Sequence, residues 1–351
     1  MHIVGLDIGG AHLKAAGTDG HATTRAYPIW EDPARLAMEL GILLGQLPIA
    51  DGLSVTMTAE LADCFETKRD GVLAILDAVE QVADGRTVAV WQTGGEFVSI
   101  SDARDLPRLV AAANWHALAT FAGRLAPTGE ALLIDIGSTT TDLVPILNGQ
   151  PIPWGLTDRQ RLESRELVYT GVGRTPLCSL APAVTLGDRG IGLAAELFAT
   201  TLDIYLLTGD IPETDVADAG TDTPTADGRS AICADARRRL CRMICSDETE
   251  VTDSEIEELA LALAGIQHDI ILKAVDRVIG RSEAGPPLDA VLVSGSGAFL
   301  ARRVVAAHPD LAGAATQVDL TDCFSADVAT AACAYAMARL AAERVPEFQS
   351  D

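Results

Sequence analysis

Two stretches decide the fold: HIVGLDIGGAHLKAA (2–16) and ALLIDIGSTTTDLVPI (131–146). Leu6-Asp7-Ile8-Gly9-Gly10 in the first matches Ile134-Asp135-Ile136-Gly137-Ser138 in the second, and the two aspartates stand 128 positions apart. Each stretch reads as a buried apolar strand ending in aspartate, a glycine turn, and a returning strand. A repeat of this size predicts two similar lobes, each opening with a hairpin that points into a shared cleft. Glycine turns the chain without a Cβ penalty and lets backbone approach an anion. Successive backbone N–H groups form an anion-binding nest. An aspartate at a strand end can hold a hydrated Mg²⁺ or act as a base.

Composition narrows the functional classes. A chain of 351 residues is long for one core and suits two lobes. Acidic residues outnumber basic ones 50 to 26, for a formal charge of −24. That argues against nucleic acid or an anionic membrane as partner, because phosphate-rich surfaces need a basic face. No run of 18 apolar residues occurs, and Asp7 interrupts what would be the apolar heart of an export signal. Seven cysteines without framework spacing read as reduced thiols, so the expected location is cytoplasmic. The oligomeric state is not legible. Lysine is rare: Lys14, Lys68 and Lys273 are the whole set, and Lys14 follows the first glycine turn.

Along the chain, helices are expected at 33–47, 69–82, 107–125, about 230–245, 253–279, from Ala298, and at 327–343. Strands are expected at 53–58, 87–91 and 289–294, the last running into Gly295-Ser296-Gly297. Residues 208–230 form a turn-rich stretch of Gly, Pro, Asp and Thr. Cys233, Cys241 and Cys245 lack a fourth ligand at metal spacing and read as core. The Arg237-Arg238-Arg239 run reads as a solvated helix face.

The two Asp-x-Gly turns and the late Gly-x-Gly resemble the actin, sugar-kinase, acetate-kinase and heat-shock ATPase superfamily. That likeness implies an α/β fold of two ribonuclease-H-like lobes with a central cleft. The first lobe would be 1–126 and the second 127–324, with a C-terminal helix (325–351) packing back on the first. By position, Asp7–Lys14 and Asp135–Asp142 would be the two phosphate loops. Gly9, Gly10, Gly137, Ser138, Thr139 and Thr140 would supply phosphate contacts, Gly295 and Gly297 would line the ligand, and Asp7, Asp135 and Asp142 would face a Mg²⁺. Ala11 stands where nucleotide-binding members have Thr or Ser, which puts ordinary ATP use in doubt.

A narrower resemblance runs through VTMTAELADCFETKRDGV (55–72), AANWHALATF (112–121), LLIDIGSTTTDLVPI (132–146), ELVYTGVGRTP (166–176) and TADGR (225–229). These segments are similar to the tetrahydromethanopterin-linked C1-transfer pathway proteins, a family that includes a methanofuran-pathway enzyme. The resemblance implies a condensation of an (aminomethyl)furanmethanol diphosphate with the phenol of γ-glutamyltyramine or a tyrosine analogue. Diphosphate leaves and an aryl ether forms. The diphosphate would meet the two glycine loops, a Mg²⁺ and Lys14. Asp135, Asp7, Glu60 and His116 are the candidates for the base. Thr58, Lys68, Arg69, Asn114 and Arg174 would contact substrate, with Trp115 available to stack on the furan. Two other readings stay open: a small-molecule kinase or ATPase on the same fold, and a non-catalytic nucleotide-binding partner protein.

Overall fold

A computed structural model describes residues 1–214, 225–281 and 288–349. Its strands are β1 (Ile3–Ile8), β2 (His12–Gly17), β3 (Ala22–Ala26), β4 (Gly52–Met57), β5 (Thr87–Trp91), β6 (Phe97–Ser99), β7 (Glu130–Ile136), β8 (Thr141–Leu147), β9 (Gln150–Pro151), β10 (Leu167–Val168), β11 (Ala183–Leu186), β12 (Arg189–Gly192), β13 (Ala290–Ser294) and β14 (Thr316–Asp319). The first sheet runs β3-β2-β1-β4-β5-β6 and the second β10-β8-β7-β13-β14. Counted within each lobe, both follow the order 3-2-1-4-5. In both, the first three strands are antiparallel and the fourth and fifth run parallel to the first. This is the arrangement of a ribonuclease-H-like lobe, twice.

The internal repeat holds at the level of single residues. Asp7 pairs across β1–β2 with Lys14 and across β1–β4 with Thr56. Asp135 pairs across β7–β8 with Asp142 and across β7–β13 with Ser294.

Strand alternation fixes where these residues point. Val4, Leu6 and Ile8 pack under the helices Leu36–Leu44 and Lys68–Ala83, on the outer face of the first sheet. Leu132, Ile134 and Ile136 pack on the outer side of the second sheet, under Cys233–Met243, Asp253–Ile279 and Ala298–Ala307. Ala131 and Leu133 face the other way, onto the helices Asn114–Ala122 and Ala332–Arg344. Ile3 likewise faces Ala341, and a Cβ on Gly5 would strike the backbone of Ala334. Asp7 and Asp135 continue these inward series. The two helices that receive the inner faces are shared by both lobes: Trp91 of the first sheet packs with Ala117, Met337 and Leu340.

Local sequence marks the starts of two of the longest helices. Thr252 and Glu255 form a capping box at the start of Asp253–Ile279, and the Thr67 hydroxyl accepts from the Asp70 N–H at the start of Lys68–Ala83.

Three expected helices differ. The 33–47 helix is shorter, Leu36–Leu44 after a 3₁₀ turn at Pro33–Arg35. The single helix expected at 107–125 is broken, because Ala111 bridges to Met57 at the end of β4 and Ala112 takes φ +48°. The helix resumes at Asn114. The expected 327–343 helix breaks at Ala331 into Ala326–Thr330 and Ala332–Arg344.

Arg239 departs from the solvated face expected for its run. It is fully buried and pairs with Asp203 at 2.7 Å and Asp227 at 3.0 Å. Of the cysteines read as core, Cys241 is buried but Cys245 is exposed; all seven are free. Residues 215–224 of the turn-rich 208–230 stretch lie outside the described residues. Among the described residues no helix is long and apolar enough to cross a membrane.

Candidate active site

The cleft between the lobes is a cavity of about 1030 Å³ into which both hairpins project. The Gly9 N–H donates to the His12 carbonyl at 2.9 Å, and the Gly137 N–H donates to the Thr140 carbonyl at 2.8 Å. These bonds close two matching turns. The tip N–H groups of Gly10, Ala11, Ser138 and Thr139 have no acceptor among the described residues. They are the donors an anion would use.

Asp7 is 8% exposed, and its Oδ1 has no hydrogen-bond partner among the described residues. Burial raises its carboxyl above the ordinary range, opposed by Lys14. Asp135 is pushed up to about 7, first by burial and then by the charge of Asp142 across the strand pair; Ser294 and Lys14 oppose the shift. The Lys14 Nζ donates to the Thr330 carbonyl at 2.8 Å. Asp7, Lys14, Asp135, Gly9, Gly10, Gly137, Ser138, Thr139, Thr140 and Gly295 all line the cleft. Gly295 has φ +89°, and a Cβ there would crowd the Ile136 carbonyl and Asp135 Oδ1. Glycine thus lets the chain leaving β13 pass close to Ile136 and the Asp135 carboxylate.

The second turn is braced from behind. The Val172 N–H donates to Gly137 O at 3.0 Å, and the Gly173 and Arg174 N–H groups donate to Ser138 O at 2.9 and 2.8 Å. A Cβ on Gly171 would strike the Gly137 carbonyl. Gln267, fully buried on Asp253–Ile279, donates to Thr170 Oγ1 and Gly171 O and accepts from the Tyr205 hydroxyl at 2.6 Å.

Five expected site residues differ from expectation: four do not line the cleft, and the fifth, Asp142, is already paired. Asp142 lines the cleft but is held by Arg161, whose Nη1 lies 2.8 Å from Asp142 Oδ1. It is therefore a partner of a buried arginine. Among the described residues no three His, Cys, Asp or Glu side chains form a cluster able to hold an ion by themselves. His116 is 6% exposed, packed between Trp91 and Trp115 and away from the cleft. Burial, then Arg161 and Arg344, pull its pKa down to about 4, so it is a neutral histidine packed in the core. Gly297 lies against Ile136 and Val172, which leave no room for a side chain, and does not itself line the cleft. Lys68 and Arg69 do not line the cleft. Arg69 is exposed, while Lys68 pairs with Glu60 at 3.3 Å and Asp158 at 3.1 Å.

Thr58, Glu60, Asn114 and Arg174 do line it. The Thr58 N–H extends the β1–β4 ladder to Ile8 O at 2.9 Å. Asn114 Oδ1 accepts from the Trp115 N–H at 2.8 Å. Trp115 also lines the cleft, under the Arg161 guanidinium at 3.8 Å.

Several cleft residues carry no local signal. Arg161, 1% exposed, sits on helix Asp158–Ser164. The Thr157-x-x-Gln160 capping box marks that helix start, but nothing in the sequence aims its arginine at Asp142. Trp30 follows Ile29, whose N–H donates to Gly10 O at 3.0 Å. It meets Arg174 across the cleft at 5.4 Å. Cys333 also lines the cleft; burial, then Asp7 and Asp135, hold its thiol well above the ordinary range, which keeps it protonated.

The hydantoinase/oxoprolinase family matches residues 51–344. A (4-{4-[2-(gamma-L-glutamylamino)ethyl]phenoxymethyl}furan-2-yl)methanamine synthase of Methanocaldococcus jannaschii is 31% identical over 341 residues, 96% of this chain and 97% of that protein. A synthase of the same name from Methanococcus vannielii is 36% identical over 149 residues, 42% of this chain and 64% of that protein. Component A of the (R)-2-hydroxyglutaryl-CoA dehydratase of Acidaminococcus fermentans superposes with a TM-score of 0.43 at 12% identity, covering 96% of each chain. By the extent of the family match and the near full-length identity to the first synthase, the chain belongs to the hydantoinase/oxoprolinase family and to the family of these furanmethanamine synthases.

Proposed function

We propose that this enzyme is a transferase that joins a furylmethyl diphosphate to the phenol of γ-glutamyltyramine, forming an aryl ether and releasing diphosphate. The observation that carries this reading is the 31% identity, over nearly the whole of both chains, to a synthase named for that phenoxymethylfuran product.

The cleft suits the chemistry. Ionisation or displacement at the furylmethyl carbon puts negative charge on the departing diphosphate, and catalysis requires donors already in place there. Lys14 and the free tip N–H groups of both turns are such donors. Asp7 and Asp135 suit a Mg²⁺ carried in with the diphosphate, because that ion needs one or two carboxylates and completes its shell with phosphate oxygens and water. The unpartnered Asp7 Oδ1 is consistent with that use. Bound there, the ion would neutralise charge on the leaving group. When ionised, Asp7 and Asp135 would also favour the positive charge that develops on the furylmethyl carbon as the diphosphate departs. Ala11 leaves the first turn without a hydroxyl, so the reading assigns the anion site to diphosphate and not to ATP. We place the reaction in the cytoplasm, where seven free thiols persist.

The test is mass spectrometry of the purified protein with Mg²⁺ in two reactions. One contains the furylmethyl diphosphate and γ-glutamyltyramine, the other ATP and the same phenol. Ether and diphosphate in the first, with ATP intact in the second, is the expected result. ATP consumption without ether in either would overturn it in favour of a kinase or ATPase.

A further inference from the structure

The diphosphate end of the cleft accounts for Asp7, Lys14 and Asp135 but leaves the acceptor's proton unassigned. A phenol has a pKa near 10 and is a poor nucleophile until that proton leaves. His116 is out of reach, and Asp142 is committed to Arg161. Of the other carboxylates in the cleft wall, Asp158 pairs with Lys68 and Asp210 with Arg303, and Asp63 is exposed to water; Glu60 alone among these is buried with an unpartnered oxygen among the described residues. We propose that Glu60 is the catalytic base that takes the phenolic proton, and that Lys68 and Asp158 position it from across the lobe boundary. This inference rests on the transferase reading above.

Glu60 follows β4 and lines the cleft, yet it is 1% exposed. Its two oxygens differ. Oε1 lies 3.3 Å from Lys68 Nζ, while Oε2 has no partner among the described residues. A buried carboxylate oxygen left unpaired costs free energy unless something else uses it. Its backbone cannot shift to find a partner, because helix Lys68–Ala83 lies against it: a Cβ on Gly71 would strike the Glu60 carbonyl.

Lys68 is itself unusually placed. It is the first residue of its helix, where the helix dipole disfavours a cation. Glu60 from its own lobe and Asp158 from the other offset that cost. Asp158 is the first residue of the helix that also carries Arg161, so the tie reaches the Asp142–Asp135 strand pair.

The charged groups facing Glu60 are Lys68 and Asp158. Burial, the largest cause, raises its carboxyl above the ordinary range; Lys68 lowers it and Asp158 raises it. The step balances. The phenolic O–H proton goes to Glu60 Oε2. The phenolate oxygen bonds to the furylmethyl carbon, and the C–O bond to diphosphate breaks with its electron pair leaving on diphosphate.

The experiment measures ether formation by wild type, Glu60→Gln and Lys68→Met as a function of pH, with γ-glutamyltyramine and with a ring-fluorinated acceptor whose phenol is more acidic. Glu60→Gln should lower kcat about 100-fold and lose the acid limb of the profile. Its KM for the diphosphate should stay within about threefold, and the fluorinated acceptor should restore about tenfold of the loss. Lys68→Met removes the cation that lowers the Glu60 carboxyl, so its acid limb should move to higher pH. A Gln variant with near wild-type kcat, an unchanged acid limb, or no recovery with the acidic phenol overturns the assignment. Should Glu60→Gln not fold, an unmoved limb in Lys68→Met overturns it. An active wild type with an active Gln variant sinks this assignment alone; an inactive wild type sinks the transferase reading with it.

Discussion

At the scale of single residues, the site is held in a state that folding alone would not choose. Asp135 has a folded pKa of about 7 against an ordinary 3.8. The folded chain therefore binds its proton more readily than the unfolded chain, and this residue's contribution to stability is lost as pH rises from about 4 to 7. Asp135→Asn should raise the thermal midpoint by several degrees at pH 8, by only about a third as much at pH 5, and reduce turnover by at least ~100-fold. Calorimetry beside the ether assay checks both.

His116 works in the opposite sense. Its folded pKa of about 4 lies below the ordinary 6.5, so the unfolded chain binds the extra proton and stability falls as pH drops through that interval. His116→Phe should flatten that part of the pH–stability curve, an effect on the order of 3 kcal/mol at full extent, without shifting the pH dependence of turnover.

The sequence makes Asp7 and Asp135 legible because strand, aspartate and glycine turn are contiguous. It cannot expose Arg161 or the tie between Lys68 and Asp158, because their partners lie far along the chain. His116 misleads for the same reason: a histidine beside Asn and Trp looks functional until the two tryptophans close around it.

At the scale of elements, the glycine turn following Asp135 is only as rigid as its support. The 171–174 segment backs it with three N–H donors, and Gln267 backs that segment in turn. Gly171→Ala should displace the turn, costing at least ~10-fold in kcat/KM as well as stability. Gln267→Leu leaves the Thr170, Gly171 and Tyr205 polar groups short of partners and should cost about 2–3 kcal/mol in denaturant unfolding.

Near-continuous apolar runs identify β1, β7 and β13, alternation of Leu53, Val55 and Met57 identifies β4, and caps identify the longer helices. The break at Ala112 escapes such reading. Ala-Ala-Ala is an excellent helical run by propensity, but pairing of Ala111 to the end of β4 overrides it. The edge strands β3, β6 and β14 are short and weakly apolar, so tertiary pairing and not local pattern defines them.

At the scale of the whole molecule, the lobes are similar in order but not independent. Helix Ala332–Arg344 comes last in sequence yet covers β1, which comes first. A chain ending at residue 324 should uncover the inner face of the first sheet and lose the cooperative thermal transition of the full chain, as read by circular dichroism. The formal charge of −24 carries into the cleft, where Lys14, Arg161, Arg174 and Arg302 stand among seven carboxylates; a net count cannot reveal where those few cations are placed.

The pairing of Trp30 with Arg174 gives this architecture an optical dimension. Trp30 is 37% exposed at the cleft mouth, Trp115 lies in the cleft wall, and Trp91 is fully buried. Indole emission responds to hydration and to a neighbouring cation, so a ligand that draws Arg174 away or dries the mouth changes the protein's own fluorescence. The enzyme carries a built-in reporter of occupancy that needs no label and no turnover.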